Sequence, residues 1–153
     1  MTLRVPEPTE ASVETVRSHL SELAGRTAFR RRALARANPA GLALAAPHDG
    51  YALGLSDLAE GASLDAATVD GRRFIVMDGD KPIASAELAD QGRGSGFQAT
   101  EGPYVESTAA ALERAEEDPE LAEDDYEIRV LRIPALYVMA LWLKHDRGGA
   151  DVV

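Results

Sequence analysis

Between Thr9 and Ala24 apolar residues recur at three- and four-residue steps: Val13, Val16, Leu20 and Leu23. One such stripe predicts an amphipathic helix packed by a single side, with Thr9 as its cap and Gly25 at its end. Residues 26–37 favour a second helix by propensity, although their apolar positions do not gather on one face. Asn38-Pro39 stops it. Residues 38–50 read as a loop with a short apolar stretch, Leu42 to Ala46, and Tyr51 to Leu55 as a short strand before a helical turn at Asp57-Leu58.

Further on, the period changes. Arg72 to Met77 and Pro82 to Leu88 are strand-like runs flanking Asp78-Gly79-Asp80-Lys81, which predicts a hairpin with a type I′ turn. Phe97 to Thr100 reads as a third strand, and Gly102-Pro103 opens a helix from Tyr104 to Glu117 with Pro at its first position. Tyr126 to Ile133 alternates as a half-buried strand. Leu136 to Leu143 is apolar on both faces, as a central strand covered on each side would be; a buried helix started by Pro134 is the alternative. The apolar finish, Ala150 to Val153, predicts residues tied to the fold, or a chain that continues. These elements predict an α+β fold: N-terminal helices, then a mainly antiparallel sheet with one further helix packed on it. Residues 1–153 form one domain in this reading, with a helical segment at 1–37 and a sheet-bearing body at 51–153.

Composition narrows the function. A chain of 153 residues has length enough for one hydrophobic core. Without cysteine, disulfides and cysteine-held zinc are excluded. The longest apolar run, Ile133 to Leu143, is too short to cross a bilayer. No charged n-region with an apolar h-region opens the chain, so a cytoplasmic location is expected, and the Arg-over-Lys bias suggests a bacterial source. The net charge of −10 disfavours nucleic acid as a partner. That charge is uneven: residues 1–50 carry seven basic and five acidic groups, residues 51–153 nine and twenty-one.

Catalytic templates fail on spacing. His19, His48 and His145 lack metal-ligand spacing and read as surface residues, although folding could join His48 and His145 to Asp49 and Asp146. Asp78-Gly79-Asp80 lacks the rest of a calcium loop. Gly92-Arg93-Gly94-Ser95-Gly96 leads into a strand rather than a helix N-terminus, and Ser95 is not in a nucleophile elbow. The acidic stretch from Glu113 to Glu127 reads as a solvated face. No cofactor, metal or catalytic residue is expected.

Two functions follow. Arg26, Arg30, Arg31, Arg32 and Arg36 place five guanidinium groups within eleven residues, suited to gripping carboxylates. They point to a non-catalytic module acting through protein–protein contact with an acidic surface, self-association being its simplest form. The alternative is a small enzyme or small-molecule binder, with a pocket between the sheet and the helix starting at Pro103 where Glu87, Tyr104, Glu106 and Tyr137 converge.

Overall fold

A computed structural model of the chain describes residues 2–24, 33–89 and 96–153. Strand β1 (Thr2–Arg4) precedes helix α1 (Glu10–Ala24), the short helix α2 (Ala33–Arg36) and strand β2 (Leu42–Ala52). Helix α3 (Leu55–Ala59), strands β3 (Thr68–Asp78), β4 (Lys81–Ala89) and β5 (Phe97–Thr100), helix α4 (Pro103–Glu117) and strands β6 (Asp125–Ile133) and β7 (Val138–His145) follow. No helix among the described residues is long and apolar enough to cross a membrane.

The class is α+β, with a mixed seven-stranded sheet rather than a mainly antiparallel one. Strand β6 organises it. β7 runs antiparallel along one whole edge of β6, from Tyr126 opposite His145 to Ile133 opposite Val138. The other edge is shared: β1 pairs in parallel with Asp125 to Glu127, and β2 in parallel with Arg129 to Arg132. From β2 the sheet continues antiparallel through β3 and β4 to β5. The layout also differs from expectation, because a strand precedes α1 and the loop expected at 38–50 gives way from Leu42 onward to β2.

Local chemistry explains most boundaries. The Thr9 hydroxyl accepts from the Ser12 amide at 3.2 Å and its carbonyl from the Val13 amide at 3.1 Å, capping α1 where the stripe begins. The β3–β4 turn sits at Gly79-Asp80, but only Gly79 has positive φ (63°), the pattern of a type II′ turn rather than I′. β2 carries a bulge: Ala45 pairs with Ile75 and His48 with Arg73, leaving Ala46 and Pro47 opposite Phe74 alone. Ala46 takes φ of 44° there. Below that bulge β2 splays away from β6, and β1 fills the vacated edge.

Both sheet faces are covered. On one, Val16 and Leu20 of α1 and Leu34 of α2 pack against Phe74, Val76, Ala84 and Ala86, while Leu53, Leu131 and Trp142 form a second cluster near α3. On the opposite face α4 lays Ala115 against Tyr126 and Leu143. The strand predicted as central, Leu136 to Leu143, begins only at Val138, after a 3₁₀ turn at Pro134–Leu136, and lies at the sheet edge. Beyond it, among the described residues, only Val152 pairs, bridging to Leu143. The C-terminal residues are tied down as expected: the Asp151 carboxylate accepts from the Trp142 indole, the Lys144 ammonium and the His145 amide.

Candidate ligand site on the face covered by α4

Strand alternation sends His48, Gly50, Arg73, Glu87 and Arg132 to the face that α4 covers. A second register shift, between Gly50 and Tyr51, leaves Asp70 as the extra residue on β3. Its carboxylate turns over Gly50, where a Cβ would stand 2.5 Å from Oδ1. Glycine at position 50 is therefore what lets Asp70 reach Arg132. The result is five ionisable side chains on four neighbouring strands.

The Arg132 guanidinium is the hub. Its Nη1 donates to Glu87 Oε1 at 2.6 Å and to Asp70 Oδ2 at 3.2 Å, and its Nη2 donates to the other Glu87 oxygen. These bonds hold the Arg132 charge more firmly than in water, whereas burial pushes the Asp70 carboxyl up. Arg73 lies deeper, 2% exposed. Its Nη1 touches Met139 Sδ at 3.4 Å, no carboxylate bonds to it, and its Nε has no hydrogen-bond partner among the described residues. Burial, then the neighbouring Arg132, pulls its affinity for the proton down.

His48 is fully buried, which corrects its reading as a surface residue. Its Nδ1–H donates to the Ala46 carbonyl at 2.6 Å, so in the neutral ring Nε2 carries a lone pair, and that atom has no partner either. Burial, with Arg73 and Arg132 nearby, lowers its pKa to about 4, so the ring is neutral at pH 7. Asp70 Oδ1 is the third buried side-chain atom without a hydrogen-bond partner among the described residues. Such groups ordinarily find one, because an unpaired buried polar atom costs about 1–3 kcal/mol.

An apolar cleft of about 380 Å³ lies on the same face, where β2 splays from β6. Leu3, Ala46, Ile75 and Ile128 line it from the sheet and Ala109 and Leu112 from α4, with Glu113 and Glu116 on the helix side. Cleft and polar cluster share strands. Ala46 lines the cleft while its carbonyl holds His48, and Ile75 is the next residue on this face after Arg73.

Of the residues singled out by sequence, Arg26, Arg30, Arg31 and Arg32 lie outside the described residues, as do Gly92 to Ser95 and most of the expected second helix. Arg36 is exposed in the last turn of α2. Glu87 belongs to the polar cluster. Tyr104 and Glu106 are exposed at the start of α4, and Tyr137 is 93% exposed beyond β6, so the four do not gather. His145 lies on β7 against the Tyr126 ring, and no group of three potential metal ligands occurs among the described residues. Sequence reasoning missed Asp70, Arg73 and Arg132, and took His48 for a surface residue. The available signal was an Arg in phase with Ile75 and Met77 inside a strand whose other phase, Phe74 and Val76, is also apolar. Compared with protein-family models, with curated proteins and with solved structures, the chain matches none.

Proposed function

We propose that this protein is a non-catalytic binder of a small amphipathic carboxylate, held between the sheet and α4. The observation that carries this reading is Arg73: a buried guanidinium with no carboxylate bonded to it among the described residues, two positions along β3 from Ile75, which lines the apolar cleft on the same sheet face. Ligand sites commonly combine an apolar wall with a few fixed polar groups, and 380 Å³ falls at the lower end of their usual volume. A carboxylate would accept from Arg73, while the apolar body lies against Ile75, Ile128 and Leu112. Glu113 and Glu116 repel a carboxylate from the other end of the cleft and so favour one orientation.

Calorimetric titration with decanoate as probe tests this. Saturable one-to-one binding is expected, and Arg73→Met should weaken it roughly ten- to hundredfold, the worth of a hydrogen bond to a charged group. Absence of binding, or equal binding by the variant, would refute the proposal. Contact with another protein, the other function expected from the sequence, is favoured by a different observation: the exposed run Leu136, Tyr137 and Val138.

A further inference from the structure

Leu143 exchanges both backbone hydrogen bonds with Val152 across the outer edge of β7, at 2.8 and 3.0 Å. In an antiparallel strand the outward groups belong to alternate residues, so Leu141 and Met139 also point theirs outward. Those groups have no backbone partner among the described residues. Natural sheet edges are usually guarded by charge, proline or bulges. This one is not: from Leu136 to Leu143 the chain has no charged residue and no proline. Five of the nine large exposed apolar side chains among the described residues border the same edge, namely Leu136, Tyr137, Val138, Val152 and Val153.

We propose that β7 pairs antiparallel with β7 of a second copy, about a two-fold axis through Ala140. That register sets Met139 opposite Leu141 of the second copy and Leu141 opposite its Met139. Both are hydrogen-bonded pairs, which use all four free groups. Val138 falls opposite Trp142 of the second copy, on the same sheet face as in its own chain. Moving the axis to Leu141 would set Met139 against Leu143, whose groups Val152 already holds. In the chosen register the ladder stops at Val138, because Tyr137, outside β7, would fall opposite Leu143, which Val152 already holds; Leu136 and Tyr137 of one copy turn instead toward the exposed Val152 and Val153 of the other, and the interface is isologous. These five residues, 37% to 93% exposed, leave on the order of 500 Å² of surface for such an interface to draw on, against the ~800 Å² per partner that a stable one takes.

Charge supplies the discriminating test. Each copy carries −10, so the copies repel except where the edge is uncharged, and added salt should tighten this dimer by screening that repulsion. Contact of the Arg26–Arg36 segment with an acidic surface would instead loosen with salt. Sedimentation velocity of the full chain should show twice 16.3 kDa, with the dissociation constant falling between 50 mM and 500 mM NaCl. Ala140→Lys, which sets two ammonium groups face to face, should weaken the dimer at least tenfold. Tyr137→Ser, at a position 93% exposed and harmless to the monomer, should do so severalfold. A monomer at 100 µM, a dimer that dissolves with salt, or one unaffected by both substitutions would overturn the proposal.

Discussion

His48 is a proton acceptor that the fold holds back from its proton, and acid should expose the cost. In the unfolded chain an imidazole titrates near 6.5, whereas in the folded chain burial lowers this one to about 4. Between those values the unfolded state binds the proton and the folded state does not, so stability rises with pH. The contribution is fully present above about 6.5 and is lost as pH falls toward 4. From pH 7.5 to 4.5 the loss integrates to about 2.5 kcal/mol, using 1.36 kcal/mol per pKa unit. Because the ring is fully buried, solvent screening does not reduce that figure. Asp70, pushed up by burial, works in the opposite direction, so the comparison must be with a variant that keeps it. His48→Asn can still place an N–H toward Ala46 but cannot titrate. Urea unfolding followed by circular dichroism at half-unit pH steps should show the wild type losing about 2.5 kcal/mol more than the variant over this range. Equal slopes for the two proteins, or a His48 titration near 6.5 by NMR, would refute the reasoning.

Four substitutions test stability. Glu87→Gln should cost about 2 kcal/mol in urea unfolding, since it removes the carboxylate held by both Arg132 nitrogens. Arg73→Met, by contrast, should stay within about 1 kcal/mol of wild type or stabilise, because no carboxylate is left unpaired; a large loss there would mean that Arg73 anchors the fold. Gly71→Ala should cost at least about 3 kcal/mol, as its Cβ would sit 2.5 Å from the Leu88 carbonyl oxygen. Gly41→Ala, with only Asp78 Oδ1 at 4.0 Å, should change thermal stability by less than about 0.5 kcal/mol.

Where local chemistry decides, the sequence was legible. Thr9 and the stripe behind it gave α1 to within one residue, and Gly79 and Pro103 marked the hairpin and α4. It was silent where distant pairing decides. β1 is three residues long and exists because β2 splays at Ala46, an event set by a bulge opposite Phe74. The segment from Leu42 to Gly50 reads as a loop because Pro47 and Gly50 break the strand pattern, yet each suits one of the two register shifts. The apolar run after Pro134 suggested a strand covered on both sides. Its faces are covered by α4 and by the cluster around Trp142, but sequence carries no information on which edge is left open.

The site was legible only at Glu87. His48, Arg73, Asp70 and Arg132 meet through pairings between strands up to 84 positions apart, and no spacing rule reports such a meeting. Their shared property is burial of charge, which a single sequence shows only when both phases of a strand are known to be covered.

The claim that most needs testing is that Arg73 receives a ligand's carboxylate. The most direct measurement is the Arg73 Nε–H resonance of ¹³C,¹⁵N-labelled protein during titration with decanoate. A saturable downfield shift is expected, together with changes at the Ile75 and Leu112 methyl groups and none at Tyr137. An unmoved Arg73 resonance, with perturbations elsewhere or none at all, would contradict the account.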